Sequence, residues 1–95
     1  MSKLVEFGEY QDSIGRWHVG YFKQFSAGVD NFVLPARALG MTLDNYYKYV
    51  IDNFQPTIIT HNDKGLVIFG WTDYSKAHSL VLLLNRNARK KNLTI

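Results

Sequence analysis

The chain has 95 residues, 46% hydrophobic and 15% aromatic, with no cysteine and a formal net charge of +3. A length of this order is one domain, burying roughly 60–65% of its unfolded surface, and so many aromatics exclude an intrinsically disordered chain. The absence of cysteine excludes disulfide scaffolding, thiol catalysis and cysteine-held zinc.

The opening MSKLVEF lacks the apolar core of a secretory signal. The longest unbroken apolar run, Leu80–Leu84, is far short of the ~20 residues a membrane span needs. A soluble, cytoplasmic protein with no membrane contact is the expectation. Charge is unevenly placed: residues 1–75 hold six basic and eight acidic side chains, whereas Lys76, Arg86, Arg89, Lys90 and Lys91 follow with no acidic residue among them. The positive field is concentrated toward one end of the last predicted element.

Leu4–Gln11 and Trp17–Phe25 mix β-branched and aromatic residues with polar ones and predict two strands. Asp12-Ser13-Ile14-Gly15-Arg16 between them has the length and glycine of a hairpin loop. Ser26–Met41 shows no clear period. Within it Pro35 opens a short helical turn, Pro35–Leu39, closed by Gly40. Thr42 is an N-cap for a helix whose stripe is Leu43, Tyr46, Tyr47, Val50, Ile51 and Phe54. Asp44, Lys48 and Asp52 lie opposite, and Pro56 ends the helix.

Thr57–His61 and Leu66–Trp71 predict a second hairpin around Asn62-Asp63-Lys64-Gly65. Thr72 and Asp73 can cap a final helix, Ser75 to Lys91, with an inward stripe of Ala77, Leu80, Val81, Leu84 and Ala88. Its terminal cations suit the negative end of the helix dipole. The whole chain, residues 1–95, reads as one α+β domain of order ββα-ββα, with a four-stranded antiparallel sheet and both helices on one face. The nearly all-apolar Leu66–Trp71 belongs in the interior of that sheet. The two halves share this order without an evident residue-level repeat.

Catalytic chemistry finds little support. Ser75 and His78 stand one helical turn apart but lack an orienting acid and an oxyanion hole. A small hydrolase is therefore the weakest of three functional readings. His61 with Asp63 supplies only two potential ligands, so neither metal nor cofactor is expected. Glu6 and Glu9 have opposite strand parity and make a poor carboxylate pair. No glycine pattern matches a phosphate cradle. Ala36–Thr42 has the spacing of a helix-turn-helix turn, but Pro35 interrupts its first helix, and Asp44 and Asp52 on the second would repel phosphate.

The stronger candidate is the outer face of the last helix. At about 100° per residue, His78, Leu82, Arg86 and Arg89 fall opposite the apolar stripe, with Leu83 and Lys90 toward its edge. Leucine beside arginine is the mixture of a protein interface, and this face is the expected partner-binding site. The same cations could contact nucleic acid directly, with salt-dependent affinity. Off-stripe leucines also leave a homodimer open.

The segments RALGMTLDNYYKYVIDNF and GLVIFGWTDYSKAHSLVLLLNRNARKKN give a chain that resembles the small cysteine-free accessory proteins of bacteriophages and mobile elements, anti-CRISPR-like host-defence inhibitors among them. The resemblance lies in general build and carries over no functional residue. It implies a non-catalytic inhibitor or accessory factor that occupies the surface of a nucleic-acid-handling complex.

Overall fold

The computed structural model describes residues 4–21 and 30–94, the side chains of 30–32 excepted. Strand β1 (Phe7–Gln11) pairs antiparallel with β2 (Trp17–Tyr21), with Phe7 opposite Tyr21 and Gln11 opposite Trp17. The predicted extension of β2 to Phe25 lies outside the described residues. Asp12 builds the turn: its Oδ1 accepts the N–H groups of Ile14 at 3.0 Å and Arg16 at 2.9 Å. Gly15 supplies the left-handed φ of 89°.

β3 (Ile58–His61) and β4 (Val67–Gly70) form a second antiparallel hairpin, with Ile58 opposite Gly70 and His61 opposite Val67. Its turn repeats the first. Asn62 Oδ1 accepts the N–H groups of Lys64 and Leu66, each at 2.9 Å, and Gly65 takes a φ of 79°. With the turns superposed, Asp12 and Asn62, Gly15 and Gly65, Val19 and Phe69, Gly20 and Gly70, and Tyr21 and Trp71 each stand fifty residues apart. A residue-level repeat is therefore present, contrary to expectation. It is carried by turn chemistry and by the glycine-aromatic pair that ends each hairpin.

Among the described residues three helices form, not two. α1 (Asp30–Leu39) is longer than the single turn expected and holds Pro35 in its interior. Proline there removes one donor to the carbonyl four residues back, while its buried ring adds to the core side of the helix. Gly40, at φ 68°, ends α1: its N–H donates to the Arg37 carbonyl and that of Met41 to Ala36, the paired bonds of a Schellman motif. Thr42 caps α2 (Leu43–Phe54) by accepting the Asn45 N–H, and Gln55 and Pro56 close it. Asp73 caps α3 (Tyr74–Lys91) by accepting both the N–H and the hydroxyl of Ser75.

α3 is the hub. Ala77, Leu80, Val81, Leu84 and Ala88 are buried against α1, α2 and the first hairpin. Its Asn85 carboxamide pairs with the free edge of β1, accepting the Phe7 N–H at 2.7 Å and donating to the Phe7 carbonyl at 3.1 Å.

Among the described residues the expected four-stranded sheet does not form; two separate two-stranded sheets stand in its place. β2 and β4 meet at one antiparallel pair, where Trp17 and Trp71 exchange N–H···O bonds of 2.7 and 2.8 Å. Continued in register, that pair would bring Val19 opposite Phe69. The Phe69 carbonyl instead faces the His18 ring, with Nδ1 at 2.8 Å. The same ring lies over Gly70, where an added Cβ would come within 3.2 Å of His18 Cε1. The side chain thus occupies the place of the next ladder bond, and Leu66–Trp71 is not an interior strand. Trp71 is 1% exposed, and its indole N–H donates to the Phe54 carbonyl at 2.8 Å. Trp71→Phe strands that carbonyl and underfills the site, so it should lower unfolding free energy by about 2 kcal/mol. Urea denaturation followed by circular dichroism measures this, and a loss below about 0.5 kcal/mol would make the joint dispensable.

Candidate functional site

The outward side of α3 follows from the coverage of its other sides. The alanine-rich stripe faces the core, and Asn85 turns one flank toward β1. Leu82 is left 50% exposed and Leu83 half-buried, with Arg86, Arg89 and Lys90 exposed around them. None of these three cations forms an ion pair among the described residues, whose three pairs join Arg16 and His18 to Asp12 and His78 to Glu9. Lys91 is placed differently: its ammonium leans over Gly40, 3.0 Å from where a Cβ would stand, at the carbonyl end of α1, where a cation is favoured.

His78, expected on the outward ridge, belongs to the flank that meets the first hairpin. Its Nδ1 lies 3.5 Å from Glu9 Oε1 and 3.4 Å from the Tyr74 hydroxyl, and its ring stacks on Tyr74 at 5.4 Å. Tyr74 donates to Glu9 Oε1 at 3.0 Å, and that bond holds its hydroxyl pKa above the usual phenol value. The other Glu9 oxygen, Oε2, is buried without a hydrogen-bond partner among the described residues. The ridge therefore comprises Leu82, Leu83, Arg86, Arg89 and Lys90, with His78 beside it in a second cluster. Ser75 does not join that cluster, because its hydroxyl is committed to capping through Asp73. Glu9 was missed because its partners lie 65 and more residues away. The available signal was a carboxylate sharing strand parity with Phe7, a core position.

A third polar group stands on the opposite face of the first hairpin. His18 Nε2 lies 2.9 Å from Asp12 Oδ2, so Asp12, His18 and the Phe69 carbonyl form one chain linking the first turn to β4. Tyr10 stacks on the His18 ring at 5.4 Å. The His18 contact, followed by the Arg16 N–H bond, holds the Asp12 carboxyl down at about 2. Among the described residues no cluster of three or more His, Cys, Asp or Glu could hold a metal ion, and no helix is long and apolar enough to cross a membrane.

No protein-family model, curated protein or solved structure matches this chain.

Asp12 has a folded pKa below its ordinary value of 3.8, so folding favours its ionised form. The resulting stability is present above about pH 4 and is lost as pH falls toward 2. Thermal midpoints of the native protein and Asp12→Asn should differ most near pH 5 and converge toward pH 2. A difference unchanged over that range would remove Asp12 as the acid-sensitive group.

Proposed function

We propose that the protein is a non-catalytic binding protein whose contact surface is the outward ridge of α3. The supporting observation is a half-exposed leucine, Leu82, set among Arg86, Arg89 and Lys90, cations with no ion-pair partner among the described residues. An apolar anchor ringed by cations complements an acidic protein surface with a small apolar recess. A phosphate backbone would use the cations and leave the leucines idle, which favours a protein partner. The general build, similar to phage accessory proteins, extends this to an inhibitor or accessory factor of a nucleic-acid-handling complex, acting in a reducing cytoplasm. Leu82 and Leu83 supply desolvated contact area, and the arginines supply charge-assisted hydrogen bonds to carboxylates.

The double variant Leu82→Ala/Arg86→Ala alters exposed side chains and should keep the native thermal midpoint. Its capture of a partner from nuclease-treated host extract should fall at least tenfold, as expected when an interface anchor is truncated. Unchanged capture by the folded variant discards the ridge. Capture that disappears on nuclease treatment, with affinity falling steeply with salt, replaces the protein partner by nucleic acid.

A further inference from the structure

His18 stands between two groups that only accept hydrogen bonds. Its Nδ1 lies 2.8 Å from the Phe69 carbonyl and its Nε2 lies 2.9 Å from Asp12 Oδ2. A neutral imidazole carries one N–H and the imidazolium two, so the charged ring alone satisfies both neighbours. Asp12 does not supply the second proton, because its carboxyl is held down at about 2, chiefly by the His18 contact. Around the ring, Arg16 Nε pairs with the same carboxylate oxygen at 3.7 Å, Tyr10 of β1 stacks on one side, and β4 brings no titratable side chain. Asp63, beside Lys64 in the second turn, and Tyr46 and Tyr47 of α2 line the same inter-hairpin cleft of about 370 Å³.

The strands are already in register for a second arrangement. The Asp12 N–H donates to the Arg16 carbonyl and the Asn62 N–H to the Leu66 carbonyl. Alternation along each antiparallel ladder then turns the backbone groups of Trp17 and Val19, and those of Phe69 and Trp71, away from their own hairpin partners. Trp17 and Trp71 use theirs on each other, and Val19 with Phe69 is the next bonded pair of that ladder. When the ring loses one proton, the remaining N–H stays with the carboxylate, the stronger acceptor. A nitrogen lone pair then faces the Phe69 carbonyl, which must find another donor. We propose that His18 is a proton-operated clasp between the hairpins. As imidazolium it holds the Phe69 carbonyl away from β2. As neutral imidazole it swings aside, and the Phe69 carbonyl accepts the Val19 N–H, extending the Trp17–Trp71 joint by one pair and narrowing the cleft. The switch works over the range in which histidine changes charge, about pH 5–8, with the separated strands as the acid form. It is independent of the α3 ridge.

The direct reading is the NMR scalar coupling across a Val19 N–H to Phe69 carbonyl bond in isotope-labelled protein. In the native chain it should be absent at about pH 5 and present at about pH 8.5, either side of the histidine range. His18→Ala removes the clasp and should show the coupling at both pH values. Asp12→Asn should show it at neither. Asn62 makes the same turn bonds in the second hairpin, so asparagine suits the first turn, and its amide can donate to Nε2 of a neutral ring that still donates to Phe69. The two variants thus lock opposite arrangements, and the second keeps the test decisive where the first fails to fold. A native coupling missing at the higher pH, or already present at the lower, overturns the proposal. So does a pH-dependent coupling that survives in His18→Ala, or any coupling in Asp12→Asn.

Discussion

One backbone pair holds the two halves of this protein in register. Trp17 and Trp71 exchange their N–H and C=O groups, and beside them the Arg16 and Thr72 N–H groups donate to the Asp12 and Thr57 side chains. A second pair, Val19 with Phe69, would have made the strands one sheet. His18 prevents it by bringing a ring nitrogen to the Phe69 carbonyl and covering Gly70. Buried carbonyls must be satisfied, and a side chain can do so as well as a strand. The fold is thus a repeated hairpin whose copies are joined at one end and held apart at the other.

That arrangement divides the work among the helices. With no continuous sheet face to lie on, α3 becomes the element that α1, α2 and the first hairpin pack against, and Asn85 completes the β1 edge as a strand would. Covering the edge protects it from pairing with another chain. The hairpin and α1 occupy the inner sides of α3, and what remains outward is the leucine-arginine ridge.

Local signals in the sequence located most elements well. The stripe of α3, Tyr46 and Val50 of the α2 stripe, the caps at Thr42 and Asp73, and the stop at Pro56 depend on neighbours within a few residues, and they stand where the residues indicate, whereas Ile51 of the α2 stripe is exposed. Leu82, Arg86 and Arg89 on the outer side of α3 follow from the same helical spacing. The α+β class was legible for that reason. The sheet count was not, because it turns on one histidine contact across 51 residues. α1 was underestimated because Pro35 reads locally as a start, while the burial that offsets it is tertiary. His78 was placed by helical angle alone, and Glu9, which draws it aside, lies 69 positions earlier. The repeat was hidden because Asp12 and Asn62 differ in charge while using the same carbonyl-type oxygen in the same way.

Both tryptophans of the chain stand at the seam between the hairpins. One indole is enclosed and bonded to Phe54, and the other is half-covered beneath the edge of Tyr74. Tryptophan emission from this protein is consequently a report on a single locus. A molecule entering between the hairpins, or acid loosening the first turn, would be seen as a change in colour or yield without any label being attached.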